Sequence, residues 1–591
     1  MATFRLLITL IAIIVLPLAV AIPASAVNAR HVQDASNLRK AYDFIIVGGG
    51  TAGLVLGDRL SEVSKFDILV IEYGGFINAS KTKYFTPSYN VSSVPQARLN
   101  NRVTSLSIGF GVGGSSAING MAVMRGSKRD YDIWAELGNK ASTWTWDGLL
   151  PYFKKAIHFV PPDPLMAADF NITYDIEAAW GQDRNTRLYT YFPGPYDARL
   201  IPGLKFVRDG HAGYPGVFWY PVSNDPKTQE RSYARTAHWD GLNRPNYDLL
   251  TDAKVNKVLF DKNNIVVGVQ FTTTDNKRHT IKASKEVILS AGTIHTPQIL
   301  QLSGIGPSSL LKAAKIPVKV DLPGVGSNFQ DHPISAPITF NYTIPPPNSS
   351  TNSSFPGLIG APVALLNLAT ISGLSAAKSL SGSYSSQYPA SHLPPNTHPH
   401  ILSGYKAQQH LIATELKNQN SLLSMLNFVI PTTPSVNPIG FHILSRGTVL
   451  LNLSSPSSSE PIVDYRALSN PLDLDLLIEY TLFFRRFYNS QPFTPYQPIE
   501  ILPGANLTSR SQLGNYIRDR LSPQGWHPVG TAAKMRRNLG GVVDDQLKVY
   551  GTKNLRVVDA SIFPLSPGAA TQLTVYAVAE KAADIIKKTW E

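Results

Sequence analysis

Tyr42-Asp43-Phe44-Ile45-Ile46-Val47-Gly48-Gly49-Gly50-Thr51-Ala52-Gly53 decides the fold: an apolar, β-branched run that reads as a buried strand turns directly into G-x-G-x-x-G, carried by Gly48, Gly50 and Gly53. Leu54–Ser61 continues as a helix, and Phe66-Asp67-Ile68-Leu69-Val70-Ile71 reads as a second strand that ends at Glu72, 19 residues beyond Gly53. Strand, glycine turn, helix, strand and acid at this spacing make a βαβ unit suited to a dinucleotide. The glycines let backbone N–H groups and the helix N-terminus approach a pyrophosphate, and the acid accepts from ribose hydroxyls. By itself the unit does not separate FAD from NAD.

Further along, Gly111-Val112-Gly113-Gly114-Ser115-Ser116-Ala117-Ile118-Asn119-Gly120-Met121 is followed in order by Asp252-Ala253-Lys254-Val255 and by Gly292-Thr293-Ile294-His295-Thr296-Pro297-Gln298 running on to Gly306. Gly324-Val325-Gly326-Ser327-Asn328-Phe329-Gln330-Asp331-His332-Pro333, Trp526-His527-Pro528-Val529-Gly530-Thr531, Gly541-Val542-Val543-Asp544 and Leu555-Arg556-Val557-Val558-Asp559-Ala560 complete the series. In this order the motifs resemble those of the glucose–methanol–choline (GMC) oxidoreductases over nearly the whole chain, in the secreted fungal type that acts on alcohols or in secondary metabolism.

The resemblance implies an α/β fold: a Rossmann-like FAD-binding domain assembled from about residues 40–135, 235–335 and 530–591, interleaved with an antiparallel-sheet substrate domain with lid loops from 136–234 and 336–529. It implies FAD held at Gly48, Gly50, Thr51, Ala52 and Gly53, with Glu72 and Tyr73 at the ribose. The first signature loop lies along the flavin through Gly113, Gly114, Ser115, Asn119, Gly120, Met121 and Ala122, and the Val255 backbone holds the adenine. Asp559 and Ala560 meet the ribityl and phosphate region. Thr571 and Gln572 open a helix, Leu573 to Lys588, whose positive end stabilises a reduced, anionic flavin. The signature loop has no histidine for covalent attachment, so FAD is expected to be non-covalent. His527 matches the family's histidine that takes the substrate hydroxyl proton while hydride passes to the flavin, a task that suits a neutral imidazole. His295 and His332 read as structural.

Two positions break the family pattern. Ala570 stands where a second histidine or an asparagine usually hydrogen-bonds the substrate oxygen, and Phe110 stands where Arg or Lys is usual. An alanine side chain neither donates nor accepts. Either another group supplies the bond and the protein oxidises an alcohol, or redox chemistry has lapsed and His527 serves a cyclase or dehydratase, as in versicolorin B synthase of the same family.

Composition bounds the rest. The chain has 591 residues, 43% of them hydrophobic, enough for a large core. Arg5, the apolar run Leu6–Ile22 and Ala24-Ser25-Ala26 read as a signal peptide over residues 1–26. Sequons follow at Asn78, Asn90, Asn171, Asn341, Asn348, Asn352, Asn452 and Asn506, so a glycosylated protein of the secretory pathway is expected, without a membrane span after cleavage. The chain contains no cysteine, which excludes disulfides, thiolate metal sites and a cysteine nucleophile, and no metal is expected. Its formal charge of +13 falls by one when Arg5 is removed. With only 16% charged residues and no basic run, it points to a basic surface and not to nucleic acid. The expected partner is a small-molecule substrate. The Pro-, Ser- and Asn-rich segment Pro337–Pro399 reads as a surface loop or lid, Ile439–Leu453 as strand-like, and Leu472–Tyr488 as helix.

Overall fold

The computed structural model describes residues 29–78, 87–169, 171–181, 186–192, 206–345, 362–421, 424–427 and 435–591. The segment read as a signal peptide lies outside them. The main sheet has eight strands, in the order Arg30–Val32, Tyr247–Leu250, Ile68–Ile71, Ala41–Val47, Arg278–Leu289, Val266–Thr273 and Ala253–Phe260, with Leu555–Val557 also pairing with Arg278–Leu289. Pairings from Arg30–Val32 to Arg278–Leu289, and that of Leu555–Val557, are parallel, whereas the meander Ala253–Leu289 is antiparallel. Phe44, Ile45, Ile46, Ile68, Leu69 and Val70 are buried without exposure, as a strand covered on both faces requires. Arg30–Val32 forms the edge strand, and its Arg30 makes an ion pair with the buried Asp248.

The helix Thr51–Ser61 starts inside the glycine motif, three residues earlier than the apolar pattern suggests, because Gly50 is its N-cap. A Cβ at Gly53 would stand 1.9 Å from the Gly48 carbonyl oxygen, so this position admits only glycine if the turn is to close. Thr51–Ser61 packs against the C-terminal helix Gln572–Trp590, which in turn covers Trp146–Lys155. A buried ion cluster ties these three segments: Glu580, with no exposure, takes Arg59 at 2.8 Å and Lys155 at 3.1 Å.

The second layer holds two antiparallel sheets. One orders Ile439–Gly440, Ser424–Asn427, Pro362–Leu366 and Gly216–Trp219, and the other orders Ser435–Val436, Ile338–Tyr342 and Pro498–Leu502. The reading of 337–399 as loop or lid is corrected here. The segment contributes two of these strands and the helices Leu368–Ser372 and Leu374–Ser386, and Val363, Ala364, Leu365, Ile371, Ala377 and Tyr384 are buried. Residues 346–361, with most of the proline-serine run, lie outside the described residues. Leu472–Tyr488 is helical as read, within Pro471–Tyr488, capped by Asn470 accepting from Leu472 N. Ile439–Leu453 is not one strand. It divides into Ile439–Gly440 and Thr448–Leu450, which belong to different sheets.

Candidate active site

A cavity of about 600 Å³ opens between the two layers, at the carboxyl ends of the parallel strands. Gly48, Gly50, Thr51, Ala52, Glu72, Tyr73, Gly114, Ser115, Asn119, Gly120, Met121, Ala122, Val255, Asp559, Ala560, Thr571, Gln572 and His527 all line it, together with Ala570. Segments more than 500 residues apart in sequence thus converge on one space. Gly53 and Gly113 are not brought to the wall. They lie behind it, Gly53 under the Gly48 carbonyl and Gly113 against the Tyr233 ring.

The electrostatics of the cavity suit an anionic, nucleotide-like ligand. Three helices, Thr51–Ser61, Gly292–Leu302 and Gln572–Trp590, begin on its wall, and none has an acidic residue in its first turn; Asp559 takes the first N–H of Gly292–Leu302, while the other two have no side-chain cap and leave their positive ends to a ligand. A Cβ at Gly292, where φ is +78°, would meet no atom within 4 Å, so the wall is scooped out at this point to admit something larger than water. Glu72 is buried, and its two carboxylate oxygens accept separately from Gly49 N at 2.8 Å and Gly74 N at 2.9 Å. Burial raises its pKa, and the two N–H donors act against that rise. Each oxygen keeps a lone pair for a hydroxyl donor.

Asp559 is differently employed. Its Oδ2 accepts from Gly292 N at 2.9 Å and Thr296 Oγ1 at 2.6 Å, and its Oδ1 from Ser561 N at 2.8 Å and Ser561 Oγ at 2.5 Å, so the carboxylate fixes the mouth of the helix Gly292–Leu302. Asn119 bonds Gln572 through its side-chain amide, and Asn119 Oδ1 accepts from Met121 N at 3.0 Å and Arg231 Nη1 at 2.8 Å. Phe110 stays off the cavity wall and packs edge-on against Tyr73 and Tyr89 at 5.2 and 4.8 Å.

His527 is half-buried at the end of the cavity where Ile334, Asn437, Ile439, Gly525, Trp526, Pro528 and Ala570 gather. Burial lowers its imidazole pKa to about 4. Among the described residues its Nε2 has no hydrogen-bond partner, while Nδ1 lies 3.0 Å from Nδ1 of His332. Asp331 accepts the backbone N–H groups of Gly525, His527 and His332 on one oxygen, at 3.0, 2.9 and 2.7 Å, and so holds both histidines by their main chains. Burial raises the Asp331 pKa to about 7. Ala570 sits in an apolar cluster with Met124, Phe218, Tyr220, Val363, Leu365 and Phe441.

Sequence reading missed two lining groups and one histidine that stands behind the wall. His332, taken as structural, touches His527. His295, also taken as structural, lines the cavity and pairs with Glu460 at 2.7 Å. Asn437, in a stretch without a motif, is a polar side chain near Ala570; its Nδ2 reaches the Ser335 carbonyl at 3.3 Å. His332 and His295 each stood in a quoted motif, whereas Asn437 carried no signal.

Fold and cavity define a flavin-nucleotide oxidoreductase of the interleaved two-layer kind. The chain belongs to the GMC oxidoreductase family: the family's N-terminal model matches residues 42–334 and its C-terminal model residues 444–579. It is 34% identical to dehydrogenase xptC of Emericella nidulans, with 95% of each chain covered. It is also 34% identical to the GMC oxidoreductase family protein Mala s 12 of Malassezia sympodialis, covering 93% of this chain and 92% of that one. Among solved structures, a fungal aryl-alcohol oxidase superposes with a TM-score of 0.85 at 35% identity, covering 94% of this chain and all of the other. The cofactor is FAD.

Proposed function

We propose that the protein oxidises an alcohol group of a small organic molecule, with His527 as the base. Bound FAD supplies the hydride acceptor. The observation that carries the reading is the state of His527: its imidazole stays neutral down to about pH 4, and among the described residues its Nε2 has no protein partner at the cavity wall, whereas His295, the other histidine of the wall, is paired with Glu460. A neutral imidazole there takes the hydroxyl proton as the carbon–hydrogen bond breaks. The apolar surroundings, Ile334, Ile439, Trp526 and Ala570, favour an aromatic or otherwise apolar alcohol, and the structurally similar aryl-alcohol oxidase supports that class. A role in fungal secondary metabolism belongs to the same reading and rests on the motif resemblance alone.

Anaerobic mixing with benzyl alcohol and a panel of primary alcohols tests this: at least one should bleach the flavin band, and His527→Ala should abolish the bleaching with FAD still bound. The acid limb of kcat/KM should lie near pH 4 and not near the ordinary histidine value.

Ala570 favours a second reading, a redox-silent cyclase or dehydratase in which His527 is a general acid or base. That reading gains if turnover proceeds without bleaching and product differs from substrate by water or by nothing in mass.

We also infer a secreted glycoprotein. Asn78, Asn90, Asn171, Asn341 and Asn506 are exposed and Asn452 is half-buried; Asn348 and Asn352 lie outside the described residues. Among the described residues no helix is long and apolar enough to cross a membrane. A mature N-terminus near Val27 and a mass loss on endoglycosidase treatment are the expected results.

A further inference from the structure

The side of His527 turned away from the cavity is as well defined as the side that faces it. Its ring stands at 72° to that of His332, with centroids 5.1 Å apart and the two Nδ1 atoms in hydrogen-bond contact. His332 is 1% exposed, and its Nε2 lies 2.6 Å from Ser566 Oγ. The backbone of Pro567 hydrogen-bonds the same ring. Proline has no N–H, so the carbonyl must be the partner, and a carbonyl only accepts. Since Nδ1 is turned to His527, the proton that meets this carbonyl is on Nε2.

A neutral imidazole carries one N–H. With that proton on Nε2, Nδ1 of His332 presents a lone pair, and His527 must donate to it from its own Nδ1. The lone pair of His527 is then on Nε2, the atom without a protein partner. We propose that His332, anchored by Ser566 and the Pro567 carbonyl, is a positioning residue that fixes His527 in the Nδ1–H tautomer and so directs its basic nitrogen into the cavity. The opposite tautomer would place an N–H donor where a proton has to be received.

The surroundings keep the pair neutral. Asp331 uses one oxygen on three backbone N–H groups and its side chain bonds neither ring, and His442, which also faces His332, is paired with Asp130 at 2.6 Å. Among the described residues no carboxylate therefore stabilises an imidazolium on either ring before Nε2 receives the substrate proton. The Nδ1–H···Nδ1 bond then becomes charge-assisted.

The inference rests on His527 being the base, and its test is chosen to separate the two. Nitrogen NMR of the holoenzyme with isotope-labelled histidine, the His527 signal being the one lost in His527→Ala, should show the Nδ1–H tautomer. His332→Leu should retain FAD, shift His527 toward the other tautomer, and slow flavin reduction by benzyl alcohol on the order of 100-fold or more, with KM changed only a few-fold. His332→Asn, whose side-chain oxygen takes the place of Nδ1 as acceptor, should recover most of the rate and the tautomer. A native His527 protonated on Nε2, or undiminished flavin reduction in His332→Leu, overturns the proposal. A native Nδ1–H signal in a protein that no alcohol reduces upholds the tautomer assignment and removes only the alcohol-oxidation reading.

Discussion

Glu72 and Asp331 are both buried carboxyl groups that accept backbone N–H bonds, yet they do different work. Glu72 has its remaining lone pairs on the cavity, so Glu72→Ala should weaken FAD retention by roughly 1.5–3 kcal/mol, the worth of hydrogen bonds to a charged acceptor. Flavin absorbance after gel filtration measures it, and equal FAD content in variant and parent would remove the assignment. Asp331 has one oxygen saturated and the other, Oδ2, buried without a partner. Its folded pKa of about 7 lies above the ordinary 3.8, so the native state holds a proton that the unfolded chain has released. The stability this contributes is complete below pH 3.8 and is lost as pH rises to about 7. His527, with its pKa lowered to about 4, acts in the opposite sense between that pH and 6.5. Asp331→Asn should therefore remove only the falling component: relative to the parent, the variant should gain stability steadily from pH 4 to 7 in denaturant melts.

Among the elements, the C-terminal helix Gln572–Trp590 carries the most. Its first turn faces the cavity and its middle holds Glu580 against Arg59 and Lys155. Glu580→Ala strips the buried partner from two cations and should cost about 3–5 kcal/mol, read as a lowered midpoint of chemical unfolding. This helix and the first βαβ unit were legible in the sequence because their signals are local: a period, a glycine turn, an acid at fixed distance. The helix Leu374–Ser386 was not, because Ala377, Ser381 and Tyr384 make its buried face and two of these are small residues that composition alone assigns to a loop. Ile439–Leu453 looked continuous because its alternation survives a break. The break is where Leu444 N and Ser445 N turn inward to bond Asp473. The contact of His332 with His527 spans 195 residues, and no local pattern encodes a pairing set by how two layers meet.

For the whole molecule, cofactor and fold are linked, since bound FAD would touch segments drawn from both ends of the chain that share one cavity wall. A ligand that binds the folded state alone stabilises it by about 2.7 kcal/mol at a free concentration 100 times its Kd. Protein stripped of FAD should melt at a lower temperature, and added FAD should restore the melting point in a concentration-dependent way. A melting point independent of FAD would show that the cavity is preformed and contributes nothing to holding the layers together.

The distance in sequence across the cavity wall has a consequence for folding kinetics. The glycine turn at Gly48 and the helix Gln572–Trp590 share that wall although more than 500 residues separate them, so the site closes only once contacts of very long range have formed. Ordering so long an intervening chain comes before those contacts repay it. In refolding from denaturant, recovery of flavin binding should therefore lag behind recovery of helical signal.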